Sequence, residues 1–130
     1  KIVIVDFWAT WCGPCKASFP GMQMAVDKYA DNENVSFLFI DTWENGDNVE
    51  ANVRKFIDDK GYRFNVLMDL KGKVVSDFGV SGIPTKFILD QEGNIRYESV
   101  GYGGNDAKLV DELSTVIDFL LEEKQSVDKL

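Results

Sequence analysis

Apolar positions along the chain fall into two spacings. Short runs rich in β-branched residues, Ile2 to Trp8 and Val35 to Ile40, read as buried strands. Between them the spacing lengthens to that of a helix, which opens at Cys12 and continues to about Tyr29. Pro20 lies inside that helix and predicts a kink, because proline removes one backbone bond and crowds the preceding turn. A polar stretch, Thr42 to Asn48, leads into a helix over Val49–Lys60 with Val49, Val53, Phe56 and Ile57 on one face. Val66-Leu67-Met68 predicts a short strand, ended by Asp69 to Gly72, and Val74 to Phe78 one or two helical turns. Lys86 to Leu89 and Ile95 to Val100, joined by the turn residues Asp90 to Asn94, predict an antiparallel hairpin. After the loop Gly101 to Gly104, the last helix starts with Asn105 or Asp106 as N-cap. It carries Leu109, Val110, Leu113, Val116, Ile117, Leu120 and Leu121 at helical spacing. The tail from Glu122 to Leu130 is expected to fray.

Strands and helices alternate first and a hairpin comes last. That order predicts an α/β fold, a mixed sheet with helices on both faces. No repeat, low-complexity segment or linker interrupts it, so residues 1–130 are expected to form one domain. With 22 acidic against 14 basic residues the net charge is −8, which argues against nucleic acid as a partner. No apolar run approaches the ~18 residues of a membrane span. The chain enters a strand directly at Lys1, so the absence of a leader is uninformative about compartment.

The chemistry is concentrated in Trp11-Cys12-Gly13-Pro14-Cys15, which contains both cysteines of the chain. Two thiols at a helix entrance, two residues apart, can close into a disulfide and reopen. Cys12 precedes the helix and gains from its positive end, which favours thiolate, the form that attacks a disulfide sulfur. Cys12 is therefore expected to be the nucleophile and Cys15, one turn inside, the resolving thiol. A zinc site needs four ligands; with no histidine and no second cysteine pair, no metal or organic cofactor is implied. A peroxidase reading lacks a separate cysteine standing apart from the pair.

The segment Val5-Asp6-Phe7-Trp8-Ala9-Thr10-Trp11-Cys12-Gly13-Pro14-Cys15-Lys16 resembles the active-site segment of thioredoxins. Gly82-Ile83-Pro84-Thr85 resembles their cis-proline loop, Pro20 their kink proline, and Gly101 a glycine on the rim of the substrate groove. The four matches occur in family order. The resemblance implies a thioredoxin fold. Residues 44–70, longer than the plain thioredoxin crossover, resemble the αβ insertion of the TlpA/ResA-like branch, as does Phe87-Ile88-Leu89-Asp90-Gln91-Glu92-Gly93. This insertion is expected to be a central strand plus helix with Val66-Leu67-Met68 buried, not a lid. Where ResA-type members often carry a glutamate in the first turn after the second cysteine, this chain has Ala17 and Ser18.

The resemblance implies a cis Ile83–Pro84 bond beside Cys12, and a groove bordered by Trp11, Gly13, Pro14, Ile83, Pro84 and Gly101, where an extended peptide can pair as an added strand. Tyr102 is a further rim candidate, and Trp8 reads as core. Asp6, in the middle of an apolar strand, is either an exposed edge residue or a buried carboxylate that takes the proton from Cys15. Thioredoxins often pair this carboxylate with a lysine on the neighbouring strand. Val35 to Ile40 offers none, so Asp6 is expected to be poorly compensated. The expected activity is thiol–disulfide oxidoreductase, reducing or exchanging protein disulfides through a mixed disulfide. Its partners are protein substrates and an upstream electron donor, its expected state is monomeric, and its expected place is the bacterial cell envelope. A general cytosolic thioredoxin and a peptide-binding module with a structural disulfide remain as alternatives.

Overall fold

A computed structural model describes the backbone of residues 1–128 and the side chains of residues 1–126. Five strands, β1 (Ile2–Trp8), β2 (Val35–Asp41), β3 (Val66–Met68), β4 (Thr85–Leu89) and β5 (Ile95–Val100), form one sheet in the order β3-β2-β1-β4-β5. β1 pairs in parallel with β2, and β2 with β3, whereas β4 runs antiparallel to both β1 and β5. The sheet is mixed, and the chain has the thioredoxin fold.

Alternation along β1 sends successive side chains to opposite faces. Ile2, Ile4 and Trp8 point into the larger core, beneath α2 (Phe19–Lys28), α3 (Val49–Lys60) and α5 (Asp106–Asp128). Val5 and Phe7 point into a smaller core closed by Val75 of α4 (Lys73–Asp77). Asp6 falls on the larger face, among the residues packed under α2.

Three expectations need correction. The first helix is not continuous: it divides into α1 (Gly13–Ala17) and α2 at Ser18. Pro20 has no N–H to offer the Lys16 carbonyl four residues back, so the ladder breaks there. Met22 resumes it by bonding the Ser18 carbonyl at 2.9 Å. Second, Val66–Met68 is not a central strand. It lies at the sheet edge beside β2, and Leu67 is 44% exposed. The insertion is nevertheless anchored in the core: Phe56, Tyr62 and Phe64 pack against Phe19 of α2, and Phe64 stacks on Phe39 at 3.8 Å. Third, α5 does not fray at Glu122 but runs to Asp128, and Arg96 of β5 grips the Glu123 carboxylate with two bonds, 2.7 and 3.1 Å. Residues 129 and 130 of the expected tail lie outside the described residues.

Candidate active site

β1 ends at Trp8 and delivers the chain into α1, with Cys12 as its N-cap and Pro14 in its first turn. Cys12 and Cys15 are joined by a disulfide with 5.3 Å between their Cα atoms. The Cys15 N–H points at Cys12 Sγ from 3.2 Å, a donor suited to a thiolate at that sulfur. Cys12 is 3% exposed and Cys15 fully buried, so the leading sulfur is the one nearer solvent.

The loop before β4 faces this disulfide. Ile83–Pro84 is cis, and the Ile83 carbonyl oxygen lies 3.8 Å from Cys12 Sγ. Gly101, with φ +84°, donates its N–H to the Pro84 carbonyl at 2.8 Å and so borders the same loop. Trp11 is 55% exposed beside Cys12, and its Nε1–H donates to the Trp43 carbonyl at 2.7 Å. Gly13 and Pro14 are exposed at the helix entrance. Ile83 is half-buried and Pro84 buried. Tyr102 lines a separate groove of about 480 Å³ with Gly101, Asn105 and Lys108, its hydroxyl donating to the Asp106 carboxylate. Trp8 is core, edge-on to Phe19.

Asp6 is 1% exposed, which removes the exposed-edge alternative. The expectation that it lacks a lysine is overturned as well. Lys86, its register partner on β4, is equally buried and places Nζ 3.7 Å from Asp6 Oδ1. Burial pushes the Asp6 carboxyl up to about 6, and the Lys86 ammonium only partly offsets that. Neither carboxylate oxygen accepts a hydrogen bond. Lys86 Nζ also approaches Ser18 Oγ at 3.5 Å, and Ser18 Oγ donates to the Cys15 carbonyl at 2.8 Å. A line of buried polar groups therefore runs from Asp6 through Lys86 and Ser18 to the backbone of Cys15. The sequence carried the signal for Lys86: it stands two residues before Ile88 in a strand buried on both faces. The partner comes from β4, on the opposite side of β1 from the Val35–Ile40 segment. Ser18, Trp43 and Glu44 were also missed. Among the described residues, no group of three or more His, Cys, Asp or Glu is arranged to hold a metal.

A redox-poised CxxC at a helix entrance, facing a cis-proline loop, defines a thioredoxin-type dithiol site, and the comparisons place it more narrowly. Residues 1–98 match the family described as AhpC/TSA, and the chain belongs to that family. The chain is similar to thioredoxin-like protein YneN of Bacillus subtilis (strain 168), 37% identical over 78% of this chain and 57% of that protein. It is also similar to thiol-disulfide oxidoreductase ResA of Bacillus anthracis, 31% identical over 78% of this chain and 56% of that one. The match thus spans little more than half the length of these relatives. Among solved structures it resembles the exposed lipoprotein thioredoxin of Streptococcus pneumoniae strain TIGR4. The TM-score there is 0.72 at 26% identity, covering 88% of this chain and 84% of that one. These relatives belong to the ResA-like branch that the insertion suggested.

Proposed function

We propose that this chain is a thiol–disulfide oxidoreductase that reduces or exchanges disulfides of protein substrates. One observation carries the reading: the Cys12–Cys15 disulfide sits at a helix entrance with the cis Ile83–Pro84 loop 3.8 Å from its outer sulfur. An extended substrate strand can pair with the Ile83 backbone there and bring its own disulfide in line with Cys12. The groove residues Trp11, Gly13, Pro14, Ile83, Pro84 and Gly101 would border that strand.

In the reducing direction the Cys12 thiolate attacks one substrate sulfur, forming a mixed disulfide and releasing the other as a thiolate. The Cys15 thiol passes its proton to the Asp6 carboxylate. The Cys15 thiolate then attacks Cys12 Sγ, and the second substrate sulfur leaves. Two electrons reach the substrate, and the protein is left with the Cys12–Cys15 disulfide, which a dithiol donor must reduce. Asp6 suits the proton step because its carboxyl, raised to about 6, is ionised at neutral pH yet basic enough to accept a proton.

The reading extends to residues 1–130 acting as one domain, supported by the single sheet that joins all five strands of the described residues, and takes that domain to be monomeric. An envelope-facing location is supported by the pneumococcal relative named as an exposed lipoprotein. No helix among the described residues is long and apolar enough to cross a membrane.

Insulin reduction with dithiothreitol as donor tests the reading. Cys12→Ser is expected to abolish catalysis, and Cys15→Ser to accumulate a mixed disulfide with insulin on Cys12. Equal slow turnover by wild type and Cys12→Ser would support a binding module instead. Trapping by Cys12→Ser would exchange the two thiols' roles.

A further inference from the structure

The polar loop after β2 is fastened to the active-site loop residue by residue. Thr42 N–H donates to the Trp8 carbonyl at 2.9 Å. The Trp43 carbonyl accepts from Trp11 Nε1, and the Glu44 carboxylate takes two bonds from Thr10, one from its N–H at 2.7 Å and one from its hydroxyl at 2.6 Å. Trp43 holds φ at +53°, a left-handed conformation uncommon for a bulky side chain, at the residue whose carbonyl meets Trp11. Every link ends within four residues of Cys12.

Glu44 in turn rests on Asp41. Asp41 is 1% exposed and lines the same small cavity as Glu44, and its Oδ2 finds no partner among the described residues. A backbone N–H can only donate, so Glu44 Oε2 acts as acceptor for Thr10. Asp41 is the more deeply buried of the two acids and its Oδ2 has no donor, so a proton there lets it face Glu44 without setting two charges together. The surroundings keep it there. A cavity of about 40 Å³ beside the pair is lined by Asp41, Glu44, Val49, Asp69 and Leu70, with no cation among them. Asp69, the third acid, has its carboxylate committed to Thr42 Oγ1 and to the N–H groups of Val74 and Val75. Burial first, then the neighbouring Glu44, pushes Asp41 up to about 9.

We propose that Glu44 is a positioning residue for the exchange reaction, held by the protonated carboxyl of Asp41, and that it fixes Thr10 and Trp11 so that the groove beside Cys12 is formed for a protein substrate. Loss of the Asp41 proton sets two carboxylates side by side and loosens the grip on Thr10. The inference rests on the oxidoreductase reading for its consequence in turnover, but not for the clasp itself.

Two measurements test it, on wild type, Asp41→Asn and Glu44→Gln. Tryptophan emission followed against pH reports the Trp11–Trp43 link without any substrate. Wild type should show a transition centred near pH 9, where Asp41 loses its proton, and Asp41→Asn, whose amide still donates to Glu44, should not. In insulin reduction, Glu44→Gln should raise KM about fivefold while kcat stays within about twofold, the mark of lost substrate positioning. The ratio of Asp41→Asn to wild-type kcat/KM should climb about fivefold between pH 7 and pH 10. Emission that titrates identically in wild type and Asp41→Asn overturns the clasp, as does an unchanged KM in Glu44→Gln. Failure of wild type to reduce insulin at any pH would instead overturn the oxidoreductase reading, leaving the emission result to decide the clasp.

Discussion

Asp6 on β1 and Asp41 on the adjacent β2 are the same residue at the same burial, each 1% exposed, yet they meet opposite partners. Asp6 faces the ammonium of Lys86, and its carboxyl rises only to about 6. Asp41 faces the carboxylate of Glu44 and rises to about 9. Burial is the leading cause in both, so the partner decides the outcome. With a cation nearby, a buried carboxylate can exchange a proton at neutral pH and serve a reaction. Beside another carboxylate it keeps its proton and serves as a hydrogen-bond donor. Both groups have folded-state values above the unfolded 3.8, so the folded protein holds extra protons. Stability should therefore fall as pH rises from 3.8, through about 6 for Asp6 and about 9 for Asp41, and level off above each.

The largest effect is expected from breaking the cation's side of the comparison. Lys86→Met leaves Asp6 buried with no counter-charge and should cost about 3–5 kcal/mol at pH 7. Less should be lost at pH 5, where Asp6, its carboxyl now above 6, takes up a proton. Adding Asp6→Asn removes the remaining charge, and the double variant should return to within about 1 kcal/mol of wild type. Urea unfolding of the two single variants and the double at both pH values checks this. Simple additivity of the two substitutions would mean that the 3.7 Å pair does not interact.

A smaller effect of opposite sign is expected at the other carboxylate. Asp41→Asn keeps the donor to Glu44 and removes the cost of holding a proton at neutral pH. It should stabilise the protein by about 2–4 kcal/mol at pH 7, from a shift of several units at 1.36 kcal/mol each. The gain should shrink towards zero near pH 4, where the unfolded chain binds that proton as well. A gain of the same size at both pH values would locate its cause elsewhere.

What could be read in advance divides along the same line. The apolar runs fix β1 and β2, the helical spacing fixes α3 and α5, and the CxxC with Ile83-Pro84 marks the two halves of the site, because each is a local pattern. The missed features depend on which strands become neighbours. Lys86 could be matched to Asp6 only once β4 was known to flank β1, and Leu67 could be seen as exposed only once β3 was known to lie at an edge. Glu44 reaches Thr10 across 34 residues, and nothing in the local pattern of Thr42 to Asn48 distinguishes it from an ordinary polar loop. The break at Ser18 was legible in kind, since Pro20 announced it, but its position followed from the cap bonds that close the first helix at Ser18.

The central claim is that of the two buried carboxylates, Asp6 moves the proton that resolution needs and Asp41 does not. The most direct test is the rate at which a preformed mixed disulfide on Cys12 resolves, measured by rapid quench across pH in wild type, Asp6→Asn and Asp41→Asn. Wild type and Asp41→Asn should share a limb that rises through about pH 6, as Asp6 ionises, and Asp6→Asn should lose that limb and resolve more slowly at neutral pH. An Asp6→Asn protein that keeps the limb and the wild-type rate would contradict the account.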